Sequence, residues 1–224
     1  MIASFHLADV GVWRALRCLR PPKDVPGLRY AEAGYGAALK DKKLGTPQLG
    51  RVGMVCSWDD DAALDRFLES DPAAARLGDG FHVRLAPLRI SGAWSGFPEL
   101  QGFEEQPVDD EEPVAVVTLG RLIYRQGPRF FSTNAPAAGM ADKDPAIVLS
   151  TALARPSFRF LATFSLWRSA GEMKSFAYGK AGPGHLNAIR AQNAKAFHRE
   201  SAFIRFRPYA AVGTVGNKEF DIAR

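Results

Sequence analysis

Four histidines, His6, His82, His185 and His198, are the imidazoles of this 224-residue chain, and none stands in an HExxH or HxH spacing. A zinc or non-heme iron centre needs two or three such donors converging on one ion, so a multi-histidine site finds no support. A single axial ligand is a smaller demand, because heme iron needs one protein donor and an apolar slot. His185 is the best placed candidate. In GKAGPGH it follows a Gly/Pro turn and falls in the first turn of a helix predicted from His185 to Arg199. There the positive end of the helix dipole disfavours imidazolium and leaves a neutral nitrogen for iron. Ala188, Ile189 and Gln192 share its face at helical spacing. The plainer reading makes His185 a surface or capping residue.

The other candidates divide between chemistry and structure. His198 closes the same predicted helix, where a protonated ring would meet the C-terminal dipole, while His6 and His82 fall on predicted strands. Trp58, Trp94, Phe164, Trp167 and Phe176 could wall an apolar substrate pocket or form plain core. Arg121, Arg190 and Arg205 could pair with heme propionates or stay solvated. No Ser/His/Asp order or close carboxylate pair suggests covalent hydrolysis. GYGAAL at 34–39 lacks the third glycine of a dinucleotide fingerprint, and no phosphate-binding loop occurs. The strands RVGMVCS and FRFLATFS lack the basic and aromatic spacing of an RNA-binding sheet, so nucleic acid is not an expected partner.

The elements that would position these residues come in two similar sets. VCSWDDDAALDRF at 55–67 lies over FSLWRSAGEMKSF at 164–176, which superposes Trp58 on Trp167, Leu64 on Met173 and Phe67 on Phe176. RLAP at 84–87 is echoed by RFRP at 205–208. Periodicity in the first half predicts strands near Ile2–Leu7, Leu28–Ala33, Arg51–Ser57 and His82–Ile90. Helices are predicted near Val12–Leu19 and Asp60–Leu68, the latter with an extension toward Leu77. The second half gives strands near Val114–Leu119, Ala146–Ala152, Phe158–Leu166 and Ala202–Tyr209. Its helices fall near Pro128–Ser132, Ala170–Ala177 and His185–Arg199. Both read β-α-β-β-α-β. The expected fold is therefore α+β, two tandem ferredoxin-like repeats closing their open faces into a pseudo-dimeric α+β barrel.

Composition sets the boundaries of this reading. With 46% hydrophobic residues and a net charge of +5, the chain is neither disordered nor collagen-like. Glu104, Glu105, Asp109, Asp110, Glu111 and Glu112 crowd one Pro-containing run, which reads as a solvated connector. The expected organisation is a first repeat over 1–100, the connector over 101–112, a second repeat with the heme-ligand candidate over 113–212, and a tail over 213–224. Cys18 and Cys56 form no CxxC pair, so neither a disulfide framework nor a structural zinc site is expected, and the cytoplasm is the expected compartment. No window reaches the roughly 18 apolar residues of a spanning helix, so stable membrane insertion is not expected.

Several short blocks then point to a family. PGLRY at 26–30, GAWSG at 92–96, PVAVVTLGRL at 113–122 and ATFSLW, FAYG, GHLNAIR and FIRF between 162 and 206 resemble the spheroidene monooxygenase family. The resemblance implies a heme b-containing oxygenase that inserts oxygen into an apolar carotenoid, using O2 and an electron donor, in a dimeric α+β-barrel-like fold. It makes His185 the axial-ligand candidate and brings Arg190 into the same cofactor-binding block. A homodimer is compatible with it. Lys40, Lys42 and Lys43 in AALKDKKLGT suit a smaller or acidic small-molecule substrate better than a long polyene. Two further readings stay open: a heme-dependent dehydratase of the aldoxime dehydratase type, and a non-catalytic module binding heme or a hydrophobic ligand.

Overall fold

The computed structural model describes residues 1–38, 47–156, 160–178, 195–216 and 218–222. In chain order the elements are β1 (Ile2–Asp9), α1 (Val12–Cys18), β2 (Leu28–Ala37), β3 (Pro47–Trp58), α2 (Asp61–Ser70), α3 (Pro72–Leu77) and β4 (Phe81–Ala93). The second half follows with β5 (Val114–Leu122), α4 (Gly127–Lys143), β6 (Ile147–Ala154), β7 (Leu161–Trp167), α5 (Ala170–Tyr178), β8 (His198–Val215) and β9 (Lys218–Ile222).

Alternation decides which way each strand faces. Ala3, Phe5 and Leu7 of β1 enter the largest apolar cluster, with Val83 and Leu85 of β4, Val117 and Leu119 of β5, Phe164 of β7 and Ile204 and Phe206 of β8. The residues between them turn to the helix side. The strands are joined antiparallel in the order β4-β1-β3-β2-β6-β7-β5-β8-β9, and β4 also pairs with β8. Eight strands therefore close an α+β barrel, with β9 extending β8 outside it. Phe5 and Phe164, one from each half, stack inside with ring centroids 4.0 Å apart and planes within 4°. Burying a side chain of this size contributes about 1.5–3 kcal/mol, so the interior is the main source of stability.

Each half places its first strand between its third and fourth, giving β4-β1-β3-β2 and β8-β5-β7-β6. One seam between the halves is short, from Tyr35↔Ala154 to Ala37↔Ala152. The other runs from His82↔Val212 to Ala93↔Ser201.

Four expectations need correction. The helix predicted from His185 to Arg199 does not hold at its described end: His198 opens β8 and pairs with Leu122 of β5. The period-two alternation of Ala202, Ile204 and Phe206 extends back to this point, and ladder pairing overrides the helical spacing read upstream. The segment Pro128–Ser132 is the start of a 17-residue helix, which the breakers Pro136 and Gly139 had masked in the sequence. The extension toward Leu77 is a separate helix, because Asp71 ends α2 and caps α3 by accepting from the Ala73 N–H at 2.6 Å, with Pro72 at the first turn. The tail is partly strand, since β8 continues to Val215 and β9 pairs back on it. The acidic connector is solvated but pinned, through Glu112 to Arg207 at 2.7 Å and Asp110 to Lys174 at 2.7 Å.

Candidate active site

The tryptophans matched by the sequence repeat occupy matching places. Trp58 ends β3 and Trp167 ends β7. Each donates its indole N–H to a serine hydroxyl at 2.8 Å, Ser4 and Ser165 respectively. Each packs on a phenylalanine of the following helix, Phe67 at 5.0 Å and Phe176 at 5.1 Å between centroids. The two halves thus share a frame on their outer, helix-covered faces.

In the first half that face is shut. Ser4, His6, Ala33, Met54 and Cys56 are all buried on it. Because the Trp58 N–H only donates, the Ser4 oxygen accepts it and keeps its own proton for His6 Nε2, 2.8 Å away. Burial, then the neighbouring His82 and Arg84, lower the His6 pKa to about 3, so the ring is neutral. Arg84 is held by Asp61 at 2.6 Å and by Asp65 at 2.5 Å, both on α2.

In the second half the same face stays partly open. Cross-strand neighbours Ser165, Val116, Arg205 and Arg89 form one row, and Thr163, Thr118 and Phe203 form the next. Phe203 is 43% exposed. A groove of about 940 Å³ opens beside the first row, lined among others by Arg89, Val108, Lys174, Tyr178 and Arg205. Arg89 and Arg205 stand directly opposite on β4 and β8, an arrangement that like charges disfavour. Glu105 approaches Arg89 at 3.3 Å, and among the described residues no carboxylate is in ion-pair contact with Arg205. Glu105 also lines the groove and Lys174 is held by Asp110 at 2.7 Å, so among the described residues Arg205 is the lining cation left for an anionic group, with Val108 and the Tyr178 ring on the wall for an apolar body.

At the far end of this face His198 lies edge-on to Phe130, 5.0 Å between ring centroids. It covers Gly120, where a Cβ would meet the ring at 2.7 Å, so only glycine leaves room for it. Burial lowers the His198 pKa. The ring is thus biased to the neutral form, the reverse of the dipole-stabilised imidazolium expected at a helix end.

Trp94 belongs to a separate assembly at one end of the barrel. Its N–H donates to the Tyr30 hydroxyl at 3.0 Å, and that hydroxyl donates to Glu32. Arg121 lies over the Trp94 ring at 4.5 Å and bonds Glu200 at 2.9 Å and Glu32 at 3.3 Å. Burial and the Glu32 charge raise the Tyr30 pKa. Arg121 is thereby committed to two carboxylates and is not offered to a ligand propionate. The network ties β2 of one half to β5 and β8 of the other.

The five aromatic candidates do not share one space. Trp58 sits under α2, Trp94 and Phe164 in the barrel interior, and Trp167 with Phe176 under α5. His185 and Arg190 lie outside the described residues, as do Lys40, Lys42 and Lys43.

No family model matches the chain. A protein of Rubrivivax gelatinosus named spheroidene monooxygenase is 28% identical over 214 residues, 91% of this chain and 77% of that protein. The protein of the same name from Cereibacter sphaeroides is 28% identical over 167 residues, 72% of this chain and 49% of the relative. The chain is similar to these spheroidene monooxygenases. It spans about half the length of the Cereibacter protein. Among solved structures, the aldoxime dehydratase OxdRE in complex with butyraldoxime aligns with a TM-score of 0.57 at 8% identity, over 92% of this chain and 79% of that one. A second aldoxime dehydratase gives 0.53 at 11% identity, over 92% and 80%. At such identities the likeness is one of fold.

The groove residues that sequence reading missed are Arg89, Lys174 and Tyr178. Arg89 carried no signal, since it lies beyond RLAP, which ends at Pro87. Lys174 and Tyr178 carried none, since a helix of nine residues gives little periodicity to read.

Proposed function

We propose that this protein is a heme b-dependent monooxygenase that oxidises a small or apolar organic substrate with O2 and an external electron donor. The likeness to the Rubrivivax protein over 91% of the chain carries this reading. Two features of the described residues support such a group. The groove on the second half is wide, and its two opposed guanidinium groups have too little carboxylate nearby. Heme, when bound, supplies the iron chemistry that activates O2. Arg89 and Arg205 would hold the ligand's carboxylates, and Val108 and the Tyr178 ring would face its apolar body. His185 is the axial donor that the family resemblance implies. His198, its pKa lowered by burial, lies farther along this face against Phe130. The reading of two ferredoxin-like repeats, 1–100 and 113–212, is supported by the matched strand orders and the matched Trp–Phe pairs.

The test is an absorption spectrum of heme-loaded protein in oxidised and reduced forms, wild type beside His185→Ala. A Soret band that shifts or disappears in the variant supports the ligand, and an unchanged band removes His185 from the iron. Arg89→Ala with Arg205→Ala should weaken heme binding roughly ten-fold or more, as expected for loss of charge-assisted hydrogen bonds. Substrate oxidation should consume O2 and reductant in proportion. Anaerobic turnover of an aldoxime by the ferrous protein would instead make it a dehydratase, and no Soret band in folded protein would reject the cofactor.

A further inference from the structure

We propose that α1 is a membrane-surface contact that docks this protein on bilayers carrying anionic lipid. The proposal does not depend on the cofactor. Helix α1 is amphipathic the wrong way round for an ordinary surface helix. It buries the small residues Ala15 and Cys18 against Val52, and turns its large apolar residues to solvent. Trp13 is 83% exposed, Val12 48% and Leu16 47%. At 12, 13 and 16 these three fall on one arc of the helix, opposite the buried pair. Leu49, 52% exposed, is brought beside them because the Val10 and Gly11 N–H groups bond the Gly50 carbonyl at 2.9 and 3.0 Å.

Charge selects the occupant. Arg14, Arg17 and Arg20 are exposed around this patch, and among the described residues none of them makes an ion pair. The nearby carboxylate of Asp9 is already taken by Arg51 at 2.6 Å. An apolar patch rimmed by free guanidinium groups, with a tryptophan at its centre, matches the boundary between acyl chains and anionic headgroups. Tryptophan favours that zone because its ring is apolar while its N–H remains wet. The patch is too small to anchor by insertion alone, so attraction to negative lipid is part of the contact and salt should weaken it.

Sedimentation with phosphatidylcholine vesicles containing one part in four phosphatidylglycerol, beside pure phosphatidylcholine, tests this. The 224-residue chain should pellet with the anionic vesicles and be released by high salt. Trp13→Ser with Leu16→Ser should keep the wild-type circular dichroism yet bind at least ten-fold more weakly. Replacing Arg14, Arg17 and Arg20 by Gln should cost roughly 100-fold, since each basic residue near an anionic surface contributes about a factor of five. Trp58, Trp94 and Trp167 are buried, so a blue shift of the emission on adding vesicles reports Trp13. Wild type remaining in the supernatant overturns the proposal, as does equal binding by either variant. Concentration-dependent dimerisation that the Trp13 and Leu16 substitutions abolish, without vesicle binding, would assign the face to a second copy of the chain instead.

Discussion

The outer faces of the two halves start from the same parts and end differently. Both carry a tryptophan at the end of the third strand, bonded to a serine and packed on a helix phenylalanine at nearly equal distances. In the first half, Ser4, His6, Met54 and Cys56 fill the space under α2, and Arg84 fastens that helix down. In the second half, threonines, Val116, an exposed Phe203 and two opposed arginines leave the corresponding face partly free. The first half packs this face closed, and the second leaves a groove beside it. The shared frame sets where a site could form, and side-chain volume decides which copy has one.

The largest effect that tests this contrast is on the tryptophans. Trp58→Ala should cost about 3–5 kcal/mol in urea denaturation, because a closed site cannot collapse around the cavity. Trp167→Ala, beside the more open face, should cost about 1–2 kcal/mol less, and equal losses would mean that the two faces are equally packed.

Next comes acidity. His6 has its pKa lowered by burial from 6.5 to about 3, and burial also lowers those of His82 and His198. A depressed histidine means that the unfolded chain binds the proton first. Its stabilising contribution is complete above pH 6.5 and is lost as pH falls toward the folded value. The urea midpoint should therefore drop between pH 6.5 and 5, before carboxylates titrate, by up to about 1.4 kcal/mol per pH unit for each fully shifted group. His6→Gln should flatten this slope more than His198→Gln, because the first-half face is the closed one.

Smaller effects sharpen the comparison from the open side. Arg205→Ala should leave stability within about 0.5 kcal/mol or raise it slightly, by removing the like-charge neighbour of Arg89. The same substitution should weaken heme binding in a titration, and separation of these two readouts is the expected mark of a ligand subsite. Phe203→Ala should change stability least, by less than about 0.5 kcal/mol in thermal denaturation, as expected for a side chain that is 43% exposed.

Much of this architecture was legible from residue spacing. Alternation located the barrel strands, and the repeat of Trp58, Leu64 and Phe67 in Trp167, Met173 and Phe176 marked the two halves before any contact was known. The misreadings have definite causes. Pro136 and Gly139 obscured α4, because local breakers count for less than the tertiary packing that carries a long helix. His198 looked helical because a short stretch upstream of it had helical spacing, while its backbone belonged to the β5–β8 ladder.

By itself, then, the sequence determined strand faces, the two similar sets of elements, the acidic run and the likeness to spheroidene monooxygenases. These rest on local periodicity and order along the chain, which need no knowledge of distant neighbours. Only the tertiary structure decided that Arg89 faces Arg205, that Arg121 is consumed by Glu32 and Glu200, and that one of two matching faces stays open. Those facts depend on which residues the closing of the barrel makes neighbours, and on whether their volumes fill the space between sheet and helix.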